Sequence, residues 1–253
     1  MSENDDIRRL LQSWPYDPDN DARLAHGADG RPILQVRTPL GIEQYEMQGR
    51  PDGQRPHDRE SALEYQLARL ADAERAGGAG SFALDPAECA ELINEGTLYY
   101  YRYLRFFQLK HWHFTIRDTD RNLRLFDFIH RHGQRREDRE YLEKWRPYIL
   151  RMNAIAKAMV LLEARRYADA LEILQSGIKK LEALADLDDD TFAFERQRSL
   201  VALTQLAAEI AKHKPLSEVE RLERELAQAV AAEQFERAAE LRDRLKELRK
   251  DSH

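Results

Sequence analysis

Ser217-Glu218-Val219-Glu220 opens, and Glu233-Gln234-Phe235-Glu236-Arg237-Ala238-Ala239-Glu240-Leu241-Arg242-Asp243-Arg244-Leu245 closes, the segment from which the chain's architecture can be read. Ser217 and Glu220 have the S-x-x-E spacing of a capping box, in which two side chains satisfy backbone N–H groups that a first helical turn leaves open. Pro215 breaks whatever precedes them. Val219, Leu222, Leu226, Ala229 and Val230 then recur in steps of mostly three and four. After the polar break Glu233-Gln234, so do Phe235, Ala238, Ala239, Leu241, Leu245 and Leu248. Each run predicts an amphipathic helix, and so short a break makes the two helices antiparallel neighbours. Ala238 and Ala239 allow the backbones to approach closely, and Phe235 is expected to close the turn as a lid. About forty residues rarely bury enough apolar surface to fold alone without a disulfide or metal. The hairpin therefore reads as an interaction element.

The run from Glu233 to Leu245 closely resembles the UVR motif. That motif occurs at the end of the excinuclease B subunit, within the C subunit, in Clp-type chaperone ATPases and in arginine-kinase activator proteins. The resemblance implies a helical hairpin used for protein–protein contact, often as a self-associating dimer. Arg242 and Asp243 match the family's Arg-Asp pair, which it places near the seam. The rest of the chain has no Walker A loop, endonuclease signature or pair of CxxC zinc clips. The expectation is a different architecture carrying the same hairpin.

Length and composition bound the remainder. The chain has 253 residues, enough for one good-sized core or two modest ones. At 34% charged residues it is expected to have a heavily solvated surface, and its apolar runs fall far short of a membrane span. An acidic start and one cysteine, Cys89, predict a cytoplasmic address with no signal peptide or disulfide framework, and the UVR resemblance implies a bacterial setting. Residues 96–151 carry 13 Lys and Arg against 7 Asp and Glu, a local +6. With −6 for the whole chain, the remainder sums to −12 and would repel nucleic acid.

Three regions are expected: an N-terminal segment over 1–57, a helical body over 58–213 and the hairpin over 214–253. In the first, Ile7 to Trp14 predicts a short helix stopped by Pro15 and Pro18. Ala22 to His26 and Ile33 to Arg37 predict a β-hairpin around Gly27-Ala28-Asp29-Gly30, and Leu40 to Met47 a third extended stretch. The loop from Gly49 to His57 is read as a connector, with Arg50, Asp52, Arg55 and His57 as its candidate contact residues. Asp58 is expected to cap a helix from Arg59 to about Arg75, and Gly77-Gly78-Ala79-Gly80-Ser81 to form a flexible joint. Asp85-Pro86 with Glu88 opens the next helix. Breaks are expected near Lys110-His111, at Gly133 to Asp138, near Arg165-Arg166 and at Asp186 to Asp190.

An offset of fifty-five residues aligns Phe106, Phe107, Trp112, Ile116, Leu123 and Phe126 with Leu161, Leu162, Tyr167, Leu171, Ile178 and Leu181. In the second copy Ala158, Leu161, Tyr167, Ala170, Leu174 and Gly177 follow the small/large spacing of a tetratricopeptide-like hairpin. The first copy departs from it at Tyr103, Thr115, Thr119 and Asn122. The fold class expected is mostly α: a tetratricopeptide-like antiparallel helical body, a small N-terminal β-hairpin segment and a C-terminal helical hairpin.

Residues with chemistry are sparse. His111-Trp112-His113 and His130-Arg131-His132 have a spacing of two, wrong for metal ligation from one helical face, and are read as boundary histidines. Asp118 with Arg121, and Asp120 with Arg124, are spaced for ion pairs along one helix. With Asn122 they form a candidate groove for a peptide or carboxylate, since Arg forks grip carboxylates at two points. Tyr99 to Phe107 interleaves aromatics and Arg, and Arg131, Arg135, Arg136 and Arg139 follow. Together they are a candidate nucleic-acid surface, although Tyr99, Tyr103, Phe106 and Phe107 share one helical face and read as core. No catalytic residue, cofactor or metal is expected. The reading is a non-catalytic adaptor that binds a protein partner, or itself, through Val219, Leu222, Leu226, Phe235, Ala238, Ala239, Leu241, Arg242, Asp243, Leu245 and Leu248. The alternative is a nucleic-acid-associated accessory factor in DNA repair.

Overall fold

The computed structural model describes residues 7–77, 80, 82–214 and 218–251, without the side chains of 218–220, 247 and 249–251. The chain is mostly α-helical with one small antiparallel sheet. Two compact units are formed, Met1–Ala207 and Ala208–His253.

In the first unit, α1 (Arg8–Ser13) precedes β1 (Ala22–His26), β2 (Pro32–Thr38) and β3 (Gly41–Glu46), hydrogen-bonded in the order β1-β2-β3. The expected hairpin is present, with His26 opposite Pro32. Gly30 at φ 80 supplies the left-handed position that a side chain would strain. Leu34, Val36 and Tyr45 turn their side chains into a core shared with Phe106 of α3 (Pro86–Gln108).

The helix after the loop differs from expectation at its start. Asp58 does not cap it; it ends a 3-10 turn, Pro56–Asp58, with φ 56. Helix α2 (Ala62–Arg75) begins later, where Ser61 accepts a hydrogen bond from the Glu64 backbone N–H at 3.2 Å. Ser61 and Glu64 have the same S-x-x-E spacing as a capping box, a signal present in the sequence. Of the glycine-rich joint, Gly78, Ala79 and Ser81 lie outside the described residues, as does Ser217 of the C-terminal capping box. The Asp85–Glu88 capping box that opens α3 forms as expected, with bonds of 2.9 Å in both directions.

Helices α4 (Trp112–His132), α6 (Arg146–Glu163), α7 (Tyr167–Glu182) and α8 (Asp190–His213) complete the body. Between α4 and α6 lie α5 (Arg136–Tyr141) and a 3-10 turn, Glu143–Trp145. That irregular insert separates the antiparallel pairs α3/α4 and α6/α7, while α4 packs along α6. The main core gathers Leu92, Tyr103, Leu125, Phe126, Ile129 and Ile149. At Gly177 α7 packs tightly against its neighbours. A Cβ there would sit 2.9 Å from the Ala154 Cβ and 3.1 Å from a Leu203 methyl, so the small residue is required by packing.

The two repeat copies share a backbone device. Lys110 and Arg165, fifty-five residues apart, both adopt φ 59. Around them the His111 N–H donates to the Phe106 carbonyl and the Arg166 N–H to the Leu161 carbonyl, each at 2.8 Å. Lys110 N–H reaches Phe107 at 3.0 Å and Arg165 N–H reaches Leu162 at 2.9 Å. This nested pair of bonds is a Schellman C-cap, which closes a helix and reverses the chain in two residues.

In the second unit, α9 (Glu218–Ala231) and α10 (Phe235–Asp251) pack together as the expected hairpin. The same cap recurs here. Glu233 has φ 56, and Gln234 N–H donates to Ala229 at 2.9 Å.

Candidate functional site

Of the groove residues inferred from sequence, Asp118, Arg121 and Arg124 line one cleft while Asp120 and Asn122 do not, and the expected pairs do not form. Neither Asp118–Arg121 nor Asp120–Arg124 forms along α4. Asp118 is instead gripped by Arg102 of α3, Nε to Oδ2 at 2.7 Å and Nη2 to Oδ1 at 2.9 Å. Arg121 pairs with Glu95, Asp120 with Lys157 at 2.9 Å, and Arg124 with Glu64 at 3.9 Å. Asn122 donates to the Gly96 carbonyl at 2.9 Å. Helix packing explains the change: Asp118 and Arg121 are buried against α3, so each meets a partner across the interface before one on its own helix.

Glu95 organises this junction. It is fully buried and accepts from the first N–H groups of α2, Ala62 at 2.7 Å and Leu63 at 3.1 Å, as well as from Arg121. Arg50 reaches the same carboxylate at 3.4 Å. A negative charge at a helix N-terminus is favourable on both hydrogen-bond and dipole grounds. Arg102 Nη1 donates to the Glu46 and Gly49 carbonyls, and Arg117 Nη1 to the Met47 carbonyl. The cleft beside these groups measures about 210 Å³ and is lined by Gln48, Glu60, Arg102, Arg117, Asp118 and Arg124, among others. Its two best-oriented Arg forks already hold internal carboxylates. As a reader of external carboxylates the groove is therefore largely spoken for, and its arrangement is that of a structural lock.

Sequence reasoning missed Glu95, and it read Arg50 as a loop contact and Arg102 as part of a nucleic-acid surface, not as members of this junction. The signal was available: Leu92, Glu95, Tyr99, Arg102 and Phe106 recur at helical spacing, placing two charges on the apolar face of α3.

The loop residues are likewise used internally. Arg50 pairs with Asp52 at 2.9 Å, and His57 stacks on Tyr65 and lies 3.1 Å from Glu91. The basic stretch is partly neutralised at home. Arg135 pairs with Asp138 and Arg136 with Glu140, both at 2.7 Å, and Arg139 Nη1 leans on the Gly133 carbonyl. Arg131 is exposed. His132 packs against Phe82 and Phe128, and burial holds its imidazole below the usual value.

On the hairpin the expected seam is partly covered. Leu222, Ala229, Ala238 and Leu245 are buried, while Leu226, Ala239, Leu241 and Leu248 are half-buried. Val230 is 53% exposed. The Val219 side chain lies outside the described residues. Phe235 is not a lid: its ring is 71% exposed, because the Schellman turn at Glu233 closes the connection through backbone bonds alone. An open groove runs between the helices, lined by Leu226, Val230 and Leu245 with Glu223, Arg242 and Lys246 at its edges. Arg242 and Asp243 are exposed and hydrogen-bonded to each other at 3.2 Å.

Residues 217–251 match the UvrB/uvrC (UVR) motif. No curated protein and no solved structure matches the chain. The UVR match covers the hairpin alone, so what the family implies applies to α9 and α10. Among the described residues no helix is long and apolar enough to cross a membrane.

Proposed function

We propose that the chain is a non-catalytic adaptor whose UVR hairpin docks a protein partner presenting a matching helical face, a second copy of the hairpin included. The observation that carries this reading is the incomplete cover of the seam. Leu226, Leu241 and Leu248 are only half-buried and Val230 and Phe235 are exposed. Finishing the burial of one large apolar side chain contributes up to roughly 1.5–3 kcal/mol, so a matching helix gains by covering them. Arg242 and Lys246 on one edge of the groove and Glu223 on the other would select orientation more than strength. The body, read as tetratricopeptide-like packing, supplies a rigid carrier.

Leu241→Glu tests the reading. Light scattering and pull-down should show lost association while circular dichroism shows helix content unchanged. Phe235→Ala should leave stability within about 0.5 kcal/mol of wild type, as befits an exposed ring, and weaken association. Unaltered association in both variants would refute the proposal.

A further inference from the structure

A second cleft, of about 400 Å³, opens within the first unit between α3, α4, the irregular insert, α6 and α8. Its walls are aromatic: Tyr100, Tyr101, Tyr141, Trp145 and Tyr148. Tyr100 meets Tyr148 edge-on at 6.0 Å, and Tyr101 lies 5.4 Å from Tyr100. Tyr101, Tyr141 and Trp145 are 48%, 52% and 41% exposed, unusual for three large rings at one opening. The volume falls within the range of small-molecule sites.

Glu195 also lines this cleft, and its position is the deciding feature. Its side chain is 7% exposed, and among the described residues its Oε2 has no hydrogen-bond partner of good geometry. Arg151 Nη2 stands 3.3 Å from Oε2 and Arg198 Nη1 3.6 Å from Oε1, ion pairs without hydrogen-bond alignment. Arg151 turns its Nη1 to Ser199 instead. Oε2 is closed to solvent, so the oxygen open to an incoming donor is Oε1, whose nearest cation, Arg198 Nη1, stands beyond hydrogen-bond length. The two guanidinium groups already balance its charge, so a cationic ligand would meet their repulsion. An uncharged N–H would not.

We propose that this cleft binds a planar, uncharged heteroaromatic ring that stacks on Trp145 and Tyr101 and donates an N–H to Glu195. Free purine nucleosides and free indole compounds share that chemistry. Stacking on exposed aromatic rings is tolerant of ring identity, whereas the donor is not.

The test is calorimetric titration of the full chain with guanosine, indole and 1-methylindole. At least one of the first two should bind, and indole, if bound, at least tenfold tighter than its N-methyl analogue. Guanosine alone would identify a nucleobase ligand, and indole alone an indole-type ligand. Trp145→Ala and Tyr101→Ala alter exposed rings and should fold. Each should weaken binding at least tenfold, and Glu195→Gln should weaken it too. Failure of both guanosine and indole at millimolar concentration overturns the proposal. Equal binding of indole and 1-methylindole, or full binding by Trp145→Ala, does the same.

Discussion

Arg102 and Asp118 face each other fork to fork across the α3/α4 interface, each side chain only 1% exposed. Such a pair is weak support for stability while intact, because desolvation offsets most of the attraction, yet removing one partner strands a buried charge. Asp118→Ala should therefore cost about 3–5 kcal/mol. The paired change Arg102→Met with Asp118→Leu should cost much less than the two single changes together. Urea unfolding of the four proteins measures the coupling. A single-variant loss under about 1 kcal/mol would show the pair to be solvated.

The turn residues Lys110, Arg165 and Glu233 carry side chains at a left-handed position where glycine is the usual choice. Arg165 is exposed. Relief of left-handed strain, about 1–2 kcal/mol, outweighs the added freedom of an unfolded glycine, about 0.4–1 kcal/mol. Arg165→Gly should thus raise the urea midpoint slightly, and Arg165→Ala should not. A lower midpoint for the glycine variant would contradict this account of the cap.

Cys89 is fully buried, and burial pushes its thiol from 9.0 up to about 11. The folded state keeps a proton that the unfolded state releases near pH 9, so the contribution is complete below that value. It is lost as pH rises toward about 11. Between those values the urea midpoint of wild type should fall more steeply with pH than that of Cys89→Ala. The native thiol should also resist thiol-modifying reagents at neutral pH. Parallel slopes would assign the alkaline loss to other groups.

Periodicity and turn chemistry made most of the fold legible. The steps of three and four in α9 and α10, Asp85-Pro86 at the start of α3 and Gly27 to Gly30 between strands each act locally. The candidate groove was legible only as a set of residues. Spacing brought Asp118 and Arg121 to notice, but spacing along one helix cannot report that α3 presents Arg102 and Glu95 a few ångströms away. Phe235 failed for a related reason. Its place after the polar break fits a lid, but the Schellman bonds around Glu233 do that work without any side chain.

Glu95, Arg102 and Arg117 also bear on how this architecture could be passed between genes. Arg102 and Arg117 take backbone carbonyls at Glu46, Met47 and Gly49 as acceptors, and Arg50 shares Glu95 with the start of α2. A recombination that captured the helices and left the strands behind would remove the carbonyl acceptors at Glu46, Met47 and Gly49 and leave Arg102 and Arg117 only Asp118 of α4. The sheet and these helices are therefore tied together by the stretch between them, and insertions between residues 46 and 62 should be tolerated less well than insertions in the outer turns.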